Sequence, residues 1–98
     1  MTTKQRAYLK GLAMNIDPIF QIGKGGLTTE YLDGVEEALE ARELIKINVL
    51  KNCLDEPKEL AYAIAENTLS EVVQVIGRKI VLYREARQPE KRKIVLPK

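Results

Sequence analysis

The sequence predicts a single α/β domain built on a mixed four-stranded sheet, and three observations carry that prediction. Some segments repeat apolar residues at three- and four-residue intervals while others alternate them, and the two kinds take turns along the chain. The last two alternating segments are separated only by Gly77, Arg78 and Lys79, close enough for a hairpin. Strands divided by helices imply right-handed crossovers in a partly parallel sheet, and the hairpin must add an antiparallel pair. The expected order is α-β-α-β-α-β-β, a compact single domain with helices packed on the sheet.

Each element has its local reason. Thr3 to Met14 sets Tyr8, Leu9, Leu12 and Ala13 on one helical stripe and leaves Lys4, Arg6 and Lys10 to solvent. Asn15 and Asp17-Pro18 end that helix, because a residue before proline favours extended backbone. Pro18 to Ile22 reads as a short strand that stops at Gly23. Thr28 or Thr29 can cap the second helix, with Glu30 and Asp33 where acids favour the helix dipole and Leu32, Val35, Ala38 and Leu39 as its buried face. In the strand Leu44 to Leu50, Ile45, Ile47 and Val49 alternate with Lys46 and Asn48. Asp55 as cap and Pro57 in the first turn start a third helix with Leu60, Ala63 and Ile64 inward. Val72 to Ile76 and Ile80 to Arg84 complete the sheet. Residues 1–86 are expected to form the domain, with 87–98 a basic tail of uncertain order.

Composition narrows the functional classes. The chain has 98 residues, 45% hydrophobic and 31% charged, which suits one globular core and not a disordered chain. Cys53 is the sole cysteine and there is no histidine, so an internal disulfide, a Cys/His zinc site and imidazole base chemistry are all excluded. The polar N-terminus lacks the apolar stretch of a signal peptide and no run is long enough to span a membrane. A cytoplasmic protein, without membrane contact, is expected. The net charge of +2 hides a separation: residues 1–29 carry four bases against one acid, 30–71 four against eleven, and 72–98 eight against two. A surface so divided attracts polyanions on one side. Glu36, Glu37 and Glu40 on the second helix are taken as a solvated face without chemistry.

The segment Gly23-Lys24-Gly25-Gly26 lies between a strand end and a helix start. Three glycines in four residues let a partner's backbone come close, and the unpaired N–H groups of the next helix favour an anion, as does Lys24. A merely tight strand-to-helix connection would use the same residues. A nucleotide-hydrolase P-loop fails, because Pro18 and Gly25 stand where it needs glycine and Ser/Thr. The dinucleotide fingerprint fails at Thr28, where its third glycine belongs. No catalytic residue, metal site or cofactor is expected, and the chain is not read as an enzyme.

Pro18-Ile19-Phe20-Gln21-Ile22-Gly23-Lys24-Gly25-Gly26-Leu27-Thr28 closely resembles the signature of the CRM domain, named for chloroplast RNA splicing and ribosome maturation. Glu43 to Ile47 is similar to that family's second-strand motif, and Ile76 to Arg84 to its closing hairpin, with order and spacing like those of a stand-alone bacterial member of the YhbY type. The likeness runs from about Thr3 to Arg84 and departs at Met14 and Arg42, where members often carry His. It implies a fold similar to the C-terminal domain of bacterial translation initiation factor three. It also implies RNA binding, with precursors of the large ribosomal subunit as the bacterial target and ribosome assembly as the role.

The residues expected to contact RNA are therefore Gly23, Lys24, Gly25, Gly26 and Thr28 at the loop, with Lys4, Arg6, Lys10, Arg78 and Lys79 as further phosphate contacts. Aromatic residues number five, mostly on apolar stripes, so recognition by shape and backbone is expected rather than a base-stacking platform. The partner is ribosomal RNA in a pre-ribosomal particle, and the protein a monomer. The alternative is a protein-interaction module of ribosome assembly or translation, using the acidic second helix without touching RNA.

Overall fold

A computed structural model describes residues 1–98. Three helices, α1 (Thr3–Ala13), α2 (Thr29–Arg42) and α3 (Pro57–Thr68), alternate with β1 (Phe20–Ile22), β2 (Leu44–Val49), β3 (Glu71–Ile76) and β4 (Lys79–Tyr83). The sheet order is β1-β2-β4-β3. β1 runs parallel to β2, whereas β2 and β3 are both antiparallel to β4. The expected mixed α/β fold is what the chain adopts.

Alternation along the strands divides the core into two layers. Ile45, Ile47, Ile80 and Leu82 face α2 and α3, where they join Val35, Leu39, Leu60 and Ile64 in the larger cluster. Leu44, Val81 and Tyr83 point the other way and meet Leu9 and Ala13 of α1. Helices therefore cover both faces, as a sheet apolar on both sides requires. β3 serves both layers through a bulge: Val72 pairs with Leu82 and Gln74 with Val81, so Val73 is the extra residue. Val73 turns into the α1 layer while Val72 and Val75 stay in the other.

Helix ends follow local chemistry, with some departures from expectation. Thr2 and Gln5 form a reciprocal capping box on α1, and the Thr28 hydroxyl accepts the Tyr31 N–H at 3.0 Å to start α2. α3 has Pro57 in its first turn, but Glu56 holds the cap position without a side-chain bond. Asp55 is one residue too early to cap. Tyr8, expected on the buried stripe of α1, is 43% exposed, because the helix rolls Leu9 and Ala13 onto the sheet instead.

Residues beyond β4 return over the α1 face. A short 3-10 turn at Pro89–Lys91 redirects the chain. Ile94 and Leu96 then pack against the Leu9 and Tyr83 layer. Glu43 holds this return: its carboxylate accepts N–H bonds from Ala86 (2.8 Å), Lys93 (2.7 Å) and Ile94 (2.9 Å). Glu36 and Glu40 are not a purely solvated face, since Arg84 bonds Glu36 at 2.7 Å and Glu40 at 3.4 Å, and Arg87 bonds Glu36 at 3.0 Å. Sequence distance hid that role, for the acids and their arginines lie more than forty positions apart. Glu37 remains exposed.

Candidate nucleic-acid interface

β1 and β2 end on the same side of the sheet, and the β3–β4 hairpin turns there too, since Asn48 and Ile76 both pair with Lys79. The glycine loop leaves β1 at that edge. The Gly26 N–H bonds the Gly23 carbonyl at 3.1 Å, closing a four-residue turn with Lys24 and Gly25 at its tip. Gly26 takes φ +64°, a conformation that L side chains resist.

The turn is open outward and supported beneath. Lys24 and Gly25 are exposed, and a Cβ on Gly25 would meet nothing within 4 Å. A Cβ on Gly23 would come within 3.4 Å of both the Asn52 amide oxygen and Leu50. The flank is not uniformly positive: an Asp55 carboxylate oxygen stands 3.8 Å from the Cβ position of Gly26. An anion therefore has its favourable approach over Lys24 and Gly25, away from Asp55.

Arg78 underpins this corner. Its guanidinium donates to the carbonyls of Val49 at 2.9 Å and Leu50 at 2.7 Å, just where β2 ends against the turn. The Leu50 N–H in turn bonds the Ile22 carbonyl at 2.8 Å. Two neighbouring strand ends are thus tied together directly below Gly23. Lys79 lies on the α1 face, where its ammonium donates to the Asn48 side chain at 3.0 Å. Thr28 is exposed, its hydroxyl engaged as the α2 cap.

The basic residues of α1 divide differently. Arg6 is turned inward, donating to the carbonyls of Val72 and, at 3.2 Å, Val73. Both carbonyls belong to the stretch of β3 where the register shifts. Lys4 and Lys10 remain exposed. Met14, at the end of α1, shares a crevice with Lys79, whereas Arg6 reaches the far end of β3, so Lys4 lies away from the glycine turn. The fold gathers Gly23 to Gly26, Thr28, Arg78 and Lys79 at one edge and leaves Lys4 and Arg6 outside.

Sequence reasoning missed three cations. Arg42, Lys46 and Lys93 line one cleft between β2, the segment before β1 and the returning C-terminal chain. The outward register of Lys46 in its strand was the one available signal. Deeper in the fold, the Tyr31 hydroxyl has no partner and burial pushes its ionisation well above the ordinary tyrosine value. It stays a neutral phenol tilted against Phe20, with ring centroids 5.7 Å apart.

A helix-covered mixed sheet with an exposed glycine turn at its edge defines a small α/β module in which Gly25 and the Lys24 side chain stand open to solvent; no group of three potential metal ligands occurs. The particular family follows from comparison. The CRS1 / YhbY (CRM) domain model matches residues 1–84, and the chain belongs to that family. The Bacillus subtilis protein named "Probable RNA-binding protein YqeI" is 44% identical over 97 residues, covering 99% of each chain. A Haemophilus influenzae protein named "RNA-binding protein" is 39% identical, covering 100% of this chain and 96% of the relative. The solution structure of a Staphylococcus aureus protein superposes with a TM-score of 0.78 at 52% identity, covering 99% of both chains. No helix is long and apolar enough to cross a membrane.

Proposed function

We propose that the protein binds ribosomal RNA of the large-subunit precursor and assists ribosome assembly, acting as a cytoplasmic monomer. It holds the RNA backbone at the turn Gly23 to Gly26. The observation that carries this reading is the open tip of the turn: Gly25 has free space above it, Lys24 stands beside it, and Arg78 stiffens the strand ends below. Phosphate oxygens accept hydrogen bonds from exposed backbone N–H groups and gain from the nearby ammonium, while bases need not be read in sequence. The relatives named as RNA-binding proteins support the partner class. Lys79 and Lys10 extend the positive surface; Arg6 and Arg78 contribute by holding backbone. The protein-interaction alternative is weakened, because Glu36 and Glu40 of the acidic helix already serve Arg84 and Arg87.

Gly25→Asp is the clean test, because Gly25 has neither a positive φ nor a neighbour that a side chain would strike. The substitution places a carboxylate where phosphate would sit. Affinity for a ribosomal RNA fragment, measured by filter binding, is expected to fall at least about tenfold, or roughly 1.4 kcal/mol. Circular dichroism and the melting temperature should stay at parent values. A folded variant that binds as tightly as the parent rules out the turn as the contact.

A further inference from the structure

The cleft lined by Arg42, Lys46 and Lys93 is separate from the glycine turn. It has a volume of about 590 Å³ and opens between the segment preceding β1, the head of β2 and the returning C-terminal chain. Its apolar lining comes from Ile16, Ile19, Leu44, Ile45 and Ile94. The cations around it are unengaged, as most lysines of the chain are, and Arg42 is the one arginine whose side chain makes neither a hydrogen bond nor an ion pair. Arg6 and Arg78 are bound to backbone carbonyls, and Arg84, Arg87 and Arg92 to carboxylates. Arg42, Lys46 and Lys93 have no side-chain hydrogen bond and no ion pair, and Asp17 is the one acid in the cleft.

We propose that this cleft receives an unpaired nucleobase of the bound RNA, with the flanking phosphates on Arg42, Lys46 and Lys93. The proposal rests on the RNA-binding reading and extends it to a second contact. Three cations against one carboxylate call for a polyanion, and the branched aliphatic lining calls for a ligand that also has an apolar face. A nucleotide splayed from a single strand offers both. Position favours RNA over an acidic peptide: Ile19 and Gly23 are four residues apart along the β1 segment, about 13 Å at strand spacing. One strand laid over the turn reaches the cleft without leaving the surface. The C-terminal chain supplies one wall, so the return held by Glu43 becomes part of the binding surface.

The test uses the full chain and a fluorescein-labelled single-stranded RNA of mixed sequence, about 12 nucleotides long, followed by anisotropy. A second probe has the same backbone with abasic residues at its centre. Lys46→Ala combined with Lys93→Ala removes two charged ends that make no hydrogen bond or ion pair, and circular dichroism with the melting temperature checks that the fold is kept. The double variant should bind about tenfold more weakly and show a salt slope smaller by about 2, whereas Lys58→Ala with Lys91→Ala should change affinity less than about twofold. The parent should prefer the intact strand over the abasic one severalfold, and Ile19→Trp, which fills the cleft, should erase that preference. Equal parent affinity for intact and abasic strands, or a double variant indistinguishable from its control, overturns the proposal. If Gly25→Asp still weakens binding in that case, the turn reading survives alone; if the parent binds no RNA, both fall. A poly-glutamate peptide bound by the parent and lost in the double variant, with RNA binding unaltered, would assign the cleft to an acidic peptide and overturn the proposal as well.

Discussion

Gly26 at φ +64° and Leu69 at φ +54° occupy the same left-handed region for different reasons, and they predict opposite responses to substitution. Gly26 bends the chain out of the turn, with the Asp55 carboxylate close by. Gly26→Ala should therefore lower stability by about 1 kcal/mol in urea denaturation, from the steric cost of a Cβ in that conformation. Leu69 ends α3, and its side chain is 76% exposed, so it repays little of its strain. Leu69→Gly should raise stability by up to about 1 kcal/mol in the same measurement. The glycine turn was legible in the sequence because three glycines beside a strand end have few other uses. The left-handed Leu69 was not, since nothing in leucine marks such a position. Arg6 and Arg78 were equally opaque: a guanidinium on a solvent-side pattern looks free until the carbonyls it reaches, far off in the chain, are known.

Where α2 gives way to β2, one side chain serves as the anchor for a whole segment. Glu43 is fully buried and sits at φ 66°, so its backbone is strained while its carboxylate takes three N–H bonds. Burial raises its pKa, but the N–H bonds from Lys93, Ala86 and Ile94, with the charge of Arg92, outweigh burial and hold the carboxyl below its ordinary value of 4.5. A lowered folded-state pKa means stability that is complete above the unfolded value and lost as pH falls through the folded one. The backbone N–H groups of Arg87 and Gln88 also lower the pKa of Glu40, with burial opposing, so both acids act in the same direction. Stability should be flat above about pH 5 and decline below about pH 4, read by thermal melts across that range. Glu43→Gln puts an amide donor against an N–H group and should cost about 2 to 3 kcal/mol, with the pH 4 decline reduced. Helix and strand identities were readable from periodicity, with ends displaced by one or two residues. Glu43 was not, because its partners lie 43 to 51 positions away and have no pattern in common with it.

For the molecule as a whole, the C-terminal return decides how complete the α1 layer is. The radius of gyration, 12.9 Å, matches a compact chain of this length, near 13 Å. Deleting residues 87–98 would uncover Leu9, Leu44 and Tyr83 and remove two of the three donors to Glu43. After allowance for the entropy of the released segment, a net loss of about 2 kcal/mol is expected, a drop of roughly 10 °C in Tm by calorimetry. From composition alone the segment looked like a basic tail, since Ile94, Leu96 and Pro97 are diluted by charge; only the uncovered face of the sheet explains their place.

The Gln5 side chain donates to the Pro97 carbonyl at 3.1 Å, so the first turn of α1 and the end of the C-terminal return meet. A short flexible peptide splicing Lys98 to Met1 should be accommodated there, and the molecule becomes a candidate for circular permutation. A dye or affinity handle fused ahead of α1 would report on the domain without standing over the glycine turn, whereas one fused after Lys98 would sit near the cleft that Lys93 and Ile94 help to line.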